Sequence, residues 1–144
     1  MAANGSPLMH NNETGLLPGA FTLTLKVRDY ECDIQGIVNN AVYLSYLEHT
    51  RHEYILSKGV DFNALTSRGI LLVVSSIQIH YLVPLRSGDE FTVFLNAAKT
   101  GPQLVCHQEI VRQSDNKLCT RADVHIACSV DGKLTKGDFF DILL

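Results

Sequence analysis

Hydrophobic positions recur with two different periods along this chain, and the changes of period mark its elements. Thr22 to Val27 reads as a strand, and Asp29 to Gly36 interrupts it with carboxylates and a glycine. Asn39 or Asn40 then offers an N-cap. Beyond it Tyr43, Tyr46, Leu47, Thr50 and Tyr54 fall at i, i+3, i+4, i+7 and i+11, one face of a helix, with Glu48, Arg51, His52 and Glu53 largely elsewhere on its surface. Lys58 and Gly59 stop this helix, and Asp61 to Arg68 reads as a short helical turn. Four strand-like runs follow. Ile70 to Val83 is apolar first and then alternates, with Ile77, Ile79, Tyr81 and Val83 opposite Gln78, His80 and Leu82, until Pro84 ends it. Turn residues from Arg86 to Asp89 lead into Glu90 to Ala98, and Thr100, Gly101 and Pro102 separate that run from Leu104 to Arg112. Lys117 to Val130 alternates longest, with Leu118, Thr120, Ala122, Val124, Ile126, Cys128 and Val130 on one side. Asp131 and Gly132 favour a tight turn before a short tail segment, Lys133 to Lys136.

One strand, one long helix and four further strands make an α+β plan, an antiparallel five-stranded sheet wrapped around a single helix. Residues 1–20 hold Gly, Asn and Pro with no period and are expected to be a flexible leader, which leaves 21–144 as one domain. Such a sheet covers one face with its helix and leaves the other face and its edges open. A second copy is the simplest cover, so a homodimer or homotetramer is expected.

Composition narrows the function. With 144 residues, 46% of them hydrophobic, the chain can bury one core but not two. A net charge of −3 and the lack of a basic tract exclude nucleic acid as an expected partner. Cys32, Cys106, Cys119 and Cys128 show no C-x-x-C spacing, which points to reduced thiols and a cytoplasmic protein, and no run is long enough for a membrane span.

The chemistry should sit where Asp33 precedes the helix start. Helix N-terminal amides can hold a developing oxyanion and a carboxylate can act as base or nucleophile, a pairing suited to acyl chemistry. Asp29 and Glu31 read as structural carboxylates, Asn39 and Asn40 as caps, Gly36 as a place of tight backbone approach, and Glu48 with Arg51 as an ion pair or interface contact. His49 and His52 are spaced i, i+3, but no third ligand and no H-E-x-x-H accompany them, so no metal is expected. His80, His107 and His125 lie in separate strands, Cys32 has no assigned histidine, and no G-x-S-x-G occurs.

The run from Asp33 to Tyr43, D-I-Q-G-I-V-N-N-A-V-Y, followed by Glu48 and Arg51, resembles the hotdog-fold acyl-CoA thioesterases of the 4-hydroxybenzoyl-CoA thioesterase type, close to bacterial acyl-CoA and plant acyl-lipid thioesterases. The order of elements extends the resemblance from Phe21 to about Lys136. It implies hydrolysis of acyl-CoA or acyl-carrier-protein thioesters without a cofactor. Asp33 would be the catalytic base or nucleophile, the Asn40 backbone N–H the oxyanion donor, and Gly36, Asn39 and Tyr43 would lie against the substrate. Glu48 is the second catalytic candidate, because another hotdog branch carries its working carboxylate inside the helix. Two other readings stay open. A hotdog hydratase or dehydratase needs a histidine beside its carboxylate, and Ile34 to Asn40 has none; a non-catalytic acyl-binding hotdog would not need Asp33.

Overall fold

The computed structural model describes residues 19–144, so the expected leader lies outside the described residues apart from its last two positions. The strands are β1 (Phe21–Lys26), β2 (Ile70–Tyr81), β3 (Glu90–Thr100), β4 (Gln103–Arg112), β5 (Leu118–Val130) and a two-residue β6 (Lys133–Leu134); the helices are α1 (Asn40–Ser57) and the short α2 (Phe62–Ser67). All strands pair antiparallel in the order β1-β3-β4-β5-β2, with β6 against β5. This is the expected hotdog plan, five long strands around one long helix. The sixth strand follows from the predicted tight turn, where Asp131 and Gly132 both take positive φ, 51° and 82°.

Helix α1 starts where the Asn39 side chain accepts the Ala41 N–H at 2.9 Å, and it ends as Gly59 turns into φ +79°. Its predicted stripe of Tyr43, Tyr46, Leu47, Thr50 and Tyr54 is buried. Toward the N-terminal end Tyr43, Tyr46 and Leu47 pack with Phe91, Val93 and Ile110; toward the other end Tyr54 and Ile55 pack with Leu95, Leu104, Val124 and Phe140. The inward face of β5 is the one the alternation predicts. Cys119 is buried as well, because Ile110 pairs with Thr120 and Val111 with Leu118, which leaves Cys119 as the extra residue of a bulge.

Two expectations need correcting. Arg51, assigned to the outer surface of the helix, is only 6% exposed and donates to Gln108 Oε1 at 3.1 Å, while Gln108 Nε2 donates to the Leu47 carbonyl at 3.0 Å. It stands four residues after Leu47 and three before Tyr54, and that spacing outweighs its charge once a partner can accept a hydrogen bond from it. The tail does not stop at Lys136: Asp138–Leu143 forms a 3-10 helix whose Phe140 and Leu143 are fully buried, and the Tyr54 hydroxyl donates to the Leu143 carbonyl.

Strand β2 is an edge of the sheet, and it is apolar where it is open: Leu71, Val73, Val74 and Ile77 are 38–49% exposed. No helix among the described residues is long and apolar enough to cross a membrane.

Candidate active site

The segment between β1 and α1 is a small hairpin built almost wholly from hydrogen bonds. Residues Asp29–Glu31 make one 3-10 turn, Cys32 bridges Val38, and the Asp33 N–H donates to the Ile37 carbonyl at 2.8 Å. At its tip Gly36 N–H donates to the Asp33 carbonyl at 3.0 Å with φ +79°, a backbone region that favours glycine. A Cβ on Gly36 would meet nothing within 4 Å, so the φ angle, not crowding inside this chain, calls for glycine.

Asp33 is half-buried, and its side chain folds over its own turn. Oδ1 accepts from the N–H of Gln35 at 2.8 Å and of Ile37 at 3.4 Å, while Oδ2 receives no hydrogen bond among the described residues. One oxygen is thereby fixed and the other left available. The helix entry is equally constrained: Val38 N–H donates to the Leu85 carbonyl at 2.9 Å, Leu85 N–H donates to the Tyr43 hydroxyl at 2.9 Å, and the Tyr81 hydroxyl donates to the Asn40 carbonyl at 3.0 Å. Ala41 N–H is taken by the Asn39 cap and Val42 N–H by the Asn39 carbonyl, but Asn40 N–H has no acceptor among the described residues. A helix N-terminus carries partial positive charge, so this free donor is a ready place for an oxyanion.

Asp33, Asn40 and Tyr43 open on one cleft of about 370 Å³, walled by Ile37, Val38 and the end of β2 with its exit loop, Tyr81 to Pro84. Tyr43 and Tyr81 meet edge to face with centroids 5.4 Å apart. Burial raises the Tyr43 phenol above its ordinary value and keeps it neutral. No histidine among the described residues lines the cleft. Of the five positions at the turn and helix start that the sequence nominates, three line it; Gly36 shapes the turn beside it, and Asn39 is spent on capping.

Glu48 stands apart. It is exposed, lies 3.9 Å from His52 Nε2, and borders a separate hollow of about 60 Å³ with Arg51 and Phe62. The Arg51 guanidinium, lowered by burial, turns to Gln108 rather than to Glu48. His49 and His52 do not converge: His52 packs on Phe62 at 4.6 Å, and His49 lines a different hollow with Arg28 and Glu31. The Tyr81 to Pro84 wall was not nominated from sequence. Its signal was present, an aromatic residue and a proline at the end of the longest apolar run, but nothing in the chain order links residue 81 to residue 40.

Comparison with known proteins bears on this site. Residues 27–136 match the family model described as the thioesterase-like superfamily. The acyl-acyl carrier protein thioesterase ATL3 of Arabidopsis thaliana is 49% identical over 69 residues, 48% of this chain but 36% of its own length, so the match spans little more than a third of that plant relative. The long-chain acyl-CoA thioesterase FadM of Escherichia coli is 30% identical across 78% of this chain and 84% of its own. A 1,4-dihydroxy-2-naphthoyl-CoA thioesterase from Synechocystis superposes with a TM-score of 0.76 at 22% identity, over 82% of this chain and 89% of that one, a likeness of fold.

Proposed function

Because this chain belongs to the thioesterase-like superfamily, we propose that it hydrolyses acyl thioesters of coenzyme A or acyl carrier protein to a carboxylic acid and a thiol. One observation carries the reading: Asp33, whose Oδ2 accepts no hydrogen bond, and Asn40, whose N–H has no acceptor, among the described residues, line the same cleft. The thioester carbonyl oxygen would face the Asn40 N–H, where its growing negative charge meets the helix N-terminus. Asp33 Oδ2 then delivers the attack, either by taking a proton from water or by adding to the carbonyl carbon to give an anhydride that water opens. The departing thiolate, with a conjugate acid near pKa 8.5, leaves without a dedicated acid. Tyr43 and Tyr81 supply an apolar, aromatic wall beside the reacting carbon. The names of FadM and ATL3 support the two carriers, which both present the acyl group as a thioester.

Among the described residues the cleft is lined by Asp33 and two tyrosines with no histidine beside the carboxylate, a set that favours hydrolysis over hydration, which has to move a proton at carbon. Four unpaired thiols fit a reducing compartment, and the cytoplasm is our reading. We also assign the exposed apolar edge of β2 to a second copy of the chain, which makes a homodimer the working unit and allows two dimers to form a tetramer.

The decisive measurement is thiol release from acyl-CoA and acyl-carrier-protein thioesters by wild type, Asp33→Asn and Glu48→Gln. Asp33→Asn keeps size and turn geometry but should lose about 10²- to 10⁴-fold in turnover. Glu48→Gln should stay near wild type. The reverse result makes the helix carboxylate the catalyst, and a wild type inert toward every thioester leaves a binding protein.

A further inference from the structure

Glu31 does more than its place in a short acidic loop requires. Its Oε1 accepts the Tyr46 hydroxyl at 2.7 Å and the Arg28 N–H at 2.8 Å, its Oε2 accepts Arg28 Nη1 at 3.1 Å, and its carbonyl accepts the Asn39 N–H at 3.0 Å. One residue thus holds the start of the hairpin, the cap of α1 and the second turn of α1 together. Tyr46 is a firm anchor: it is 4% exposed, its ring lies 4.7 Å from Phe91 and 6.1 Å edge-on from Tyr43. A phenylalanine would fill the same space. The hydroxyl has no partner among the described residues except Glu31, so packing alone does not account for it. Burial, and then the carboxylate, push the phenol far above its ordinary value, and the proton stays on oxygen pointing at Glu31.

We infer that Glu31 and Tyr46 are positioning residues for Asp33: their bond clamps the root of the Asp33 turn to the helix whose first amide faces the cleft. The inference rests on Asp33 being the attacking group. From Glu31 the connection runs one residue to the Cys32–Val38 bridge and one more to Asp33, whose own N–H is tied to Ile37. From Tyr46 it runs down α1 to Asn40. Carboxylate and amide are therefore two ends of one rigid frame, closed at the far side by a short O–H···O⁻ bond. Opening that bond frees the root of the turn from the second turn of α1, while the Val27 N–H stays on the Asp89 carbonyl and the Val38 N–H on the Leu85 carbonyl, both at 2.9 Å.

The test pairs thiol release from an acyl-CoA with hydrogen exchange at the turn, using the full chain. In Tyr46→Phe, kcat should fall about tenfold or more while KM stays within about twofold, since a misaimed carboxylate costs rate and not binding. The Asp33 and Gly36 amides should exchange faster, and the Ile110 amide in the core should not. Glu31→Ala, which also loses two bonds from Arg28, should fall at least as far as Tyr46→Phe, and the double variant should fall no further than Glu31→Ala, the mark of one shared interaction. Glu31→Gln keeps an acceptor for the phenol and should recover to within about threefold of wild type. Wild-type kcat in Tyr46→Phe, a loss confined to KM, or a Glu31→Gln as slow as Glu31→Ala overturns the proposal. Unchanged protection of the two turn amides overturns it alone, because exchange needs no turnover; an Asp33→Asn enzyme at full speed overturns Asp33 as the attacking group, and the clamp's purpose with it, while a wild type inert toward every thioester overturns the thioesterase reading.

Discussion

Cys106 and Cys119 lie in the core, and burial pushes their thiols from an ordinary 9.0 up to about 12 and about 11. The folded chain keeps both protons through a pH range in which the unfolded chain releases them. Stability from this source is complete below pH 9 and drains away as pH rises toward the folded values, by about 1.4 kcal/mol per pH unit for each thiol. Tyr43, Tyr46 and Tyr54, also raised by burial, act with the same sign from their ordinary 10.0 upward. Urea midpoints should therefore fall between about pH 9 and 10.5, and fall less steeply in Cys106→Ala/Cys119→Ala. Equal slopes in the two proteins would show that the thiols are not held neutral. Arg51 teaches a related point. The sequence reading set it off the packed stripe, although it stands four residues after Leu47 and three before Tyr54. The Gln108 side-chain Oε1 that accepts from it comes from a strand residue 57 positions away, beyond the reach of local pattern.

Helix α1 was legible as an element because cap, stripe and stop all lie within it. Asn39 takes extended backbone, φ −60° and ψ 136°, and its side chain holds the Ala41 N–H. Asn39→Ala should cost about 1 kcal/mol and lower the melting temperature by about 4 °C, while Asn39→Asp, which can accept the same bond and suits the helix dipole, should cost little. Calorimetry decides it. An Asn39→Ala protein with wild-type stability and a raised KM would return Asn39 to the substrate. The C-terminal 3-10 helix shows the opposite case. Asp138–Leu143 is too short to carry a period, so its burial of Phe140 and Leu143 could not be read from spacing and depends on the gap that α1 and β3 leave beside Tyr54.

At the scale of the molecule, β2 is an edge that no other strand among the described residues covers. Leu71, Val73, Val74 and Ile77 expose apolar surface along a strand paired on one side only among the described residues, an arrangement that invites another chain. Light scattering should give two or four times the 15.9 kDa chain mass. Val73→Lys, at a position 48% exposed in the single chain, should yield a folded monomer with reduced turnover, since Tyr81 and Leu82 of the cleft wall continue the same strand. A wild-type monomer with full activity would remove the second copy from the site.

The sequence by itself determined the order of elements, the buried stripe of α1, the inward face of β5 and the turn that aims Asp33. Each of these depends on interactions within a few residues, so period, cap and turn chemistry are enough to read them. Tertiary structure decided the cleft, because Tyr81 to Pro84 reaches the helix start only when β2 pairs with β5 and returns past residue 40. It also decided which polar groups are free. Among the described residues Asn40 N–H and Asp33 Oδ2 keep no partner, while Asn39 holds the Ala41 N–H and the Gln35 and Ile37 amides hold Asp33 Oδ1, and the Glu31 to Tyr46 bond spans 15 residues across a hairpin no periodicity describes. Local propensity fixes where a chain bends; the pairing of distant hydrogen-bond partners fixes what is left over for chemistry.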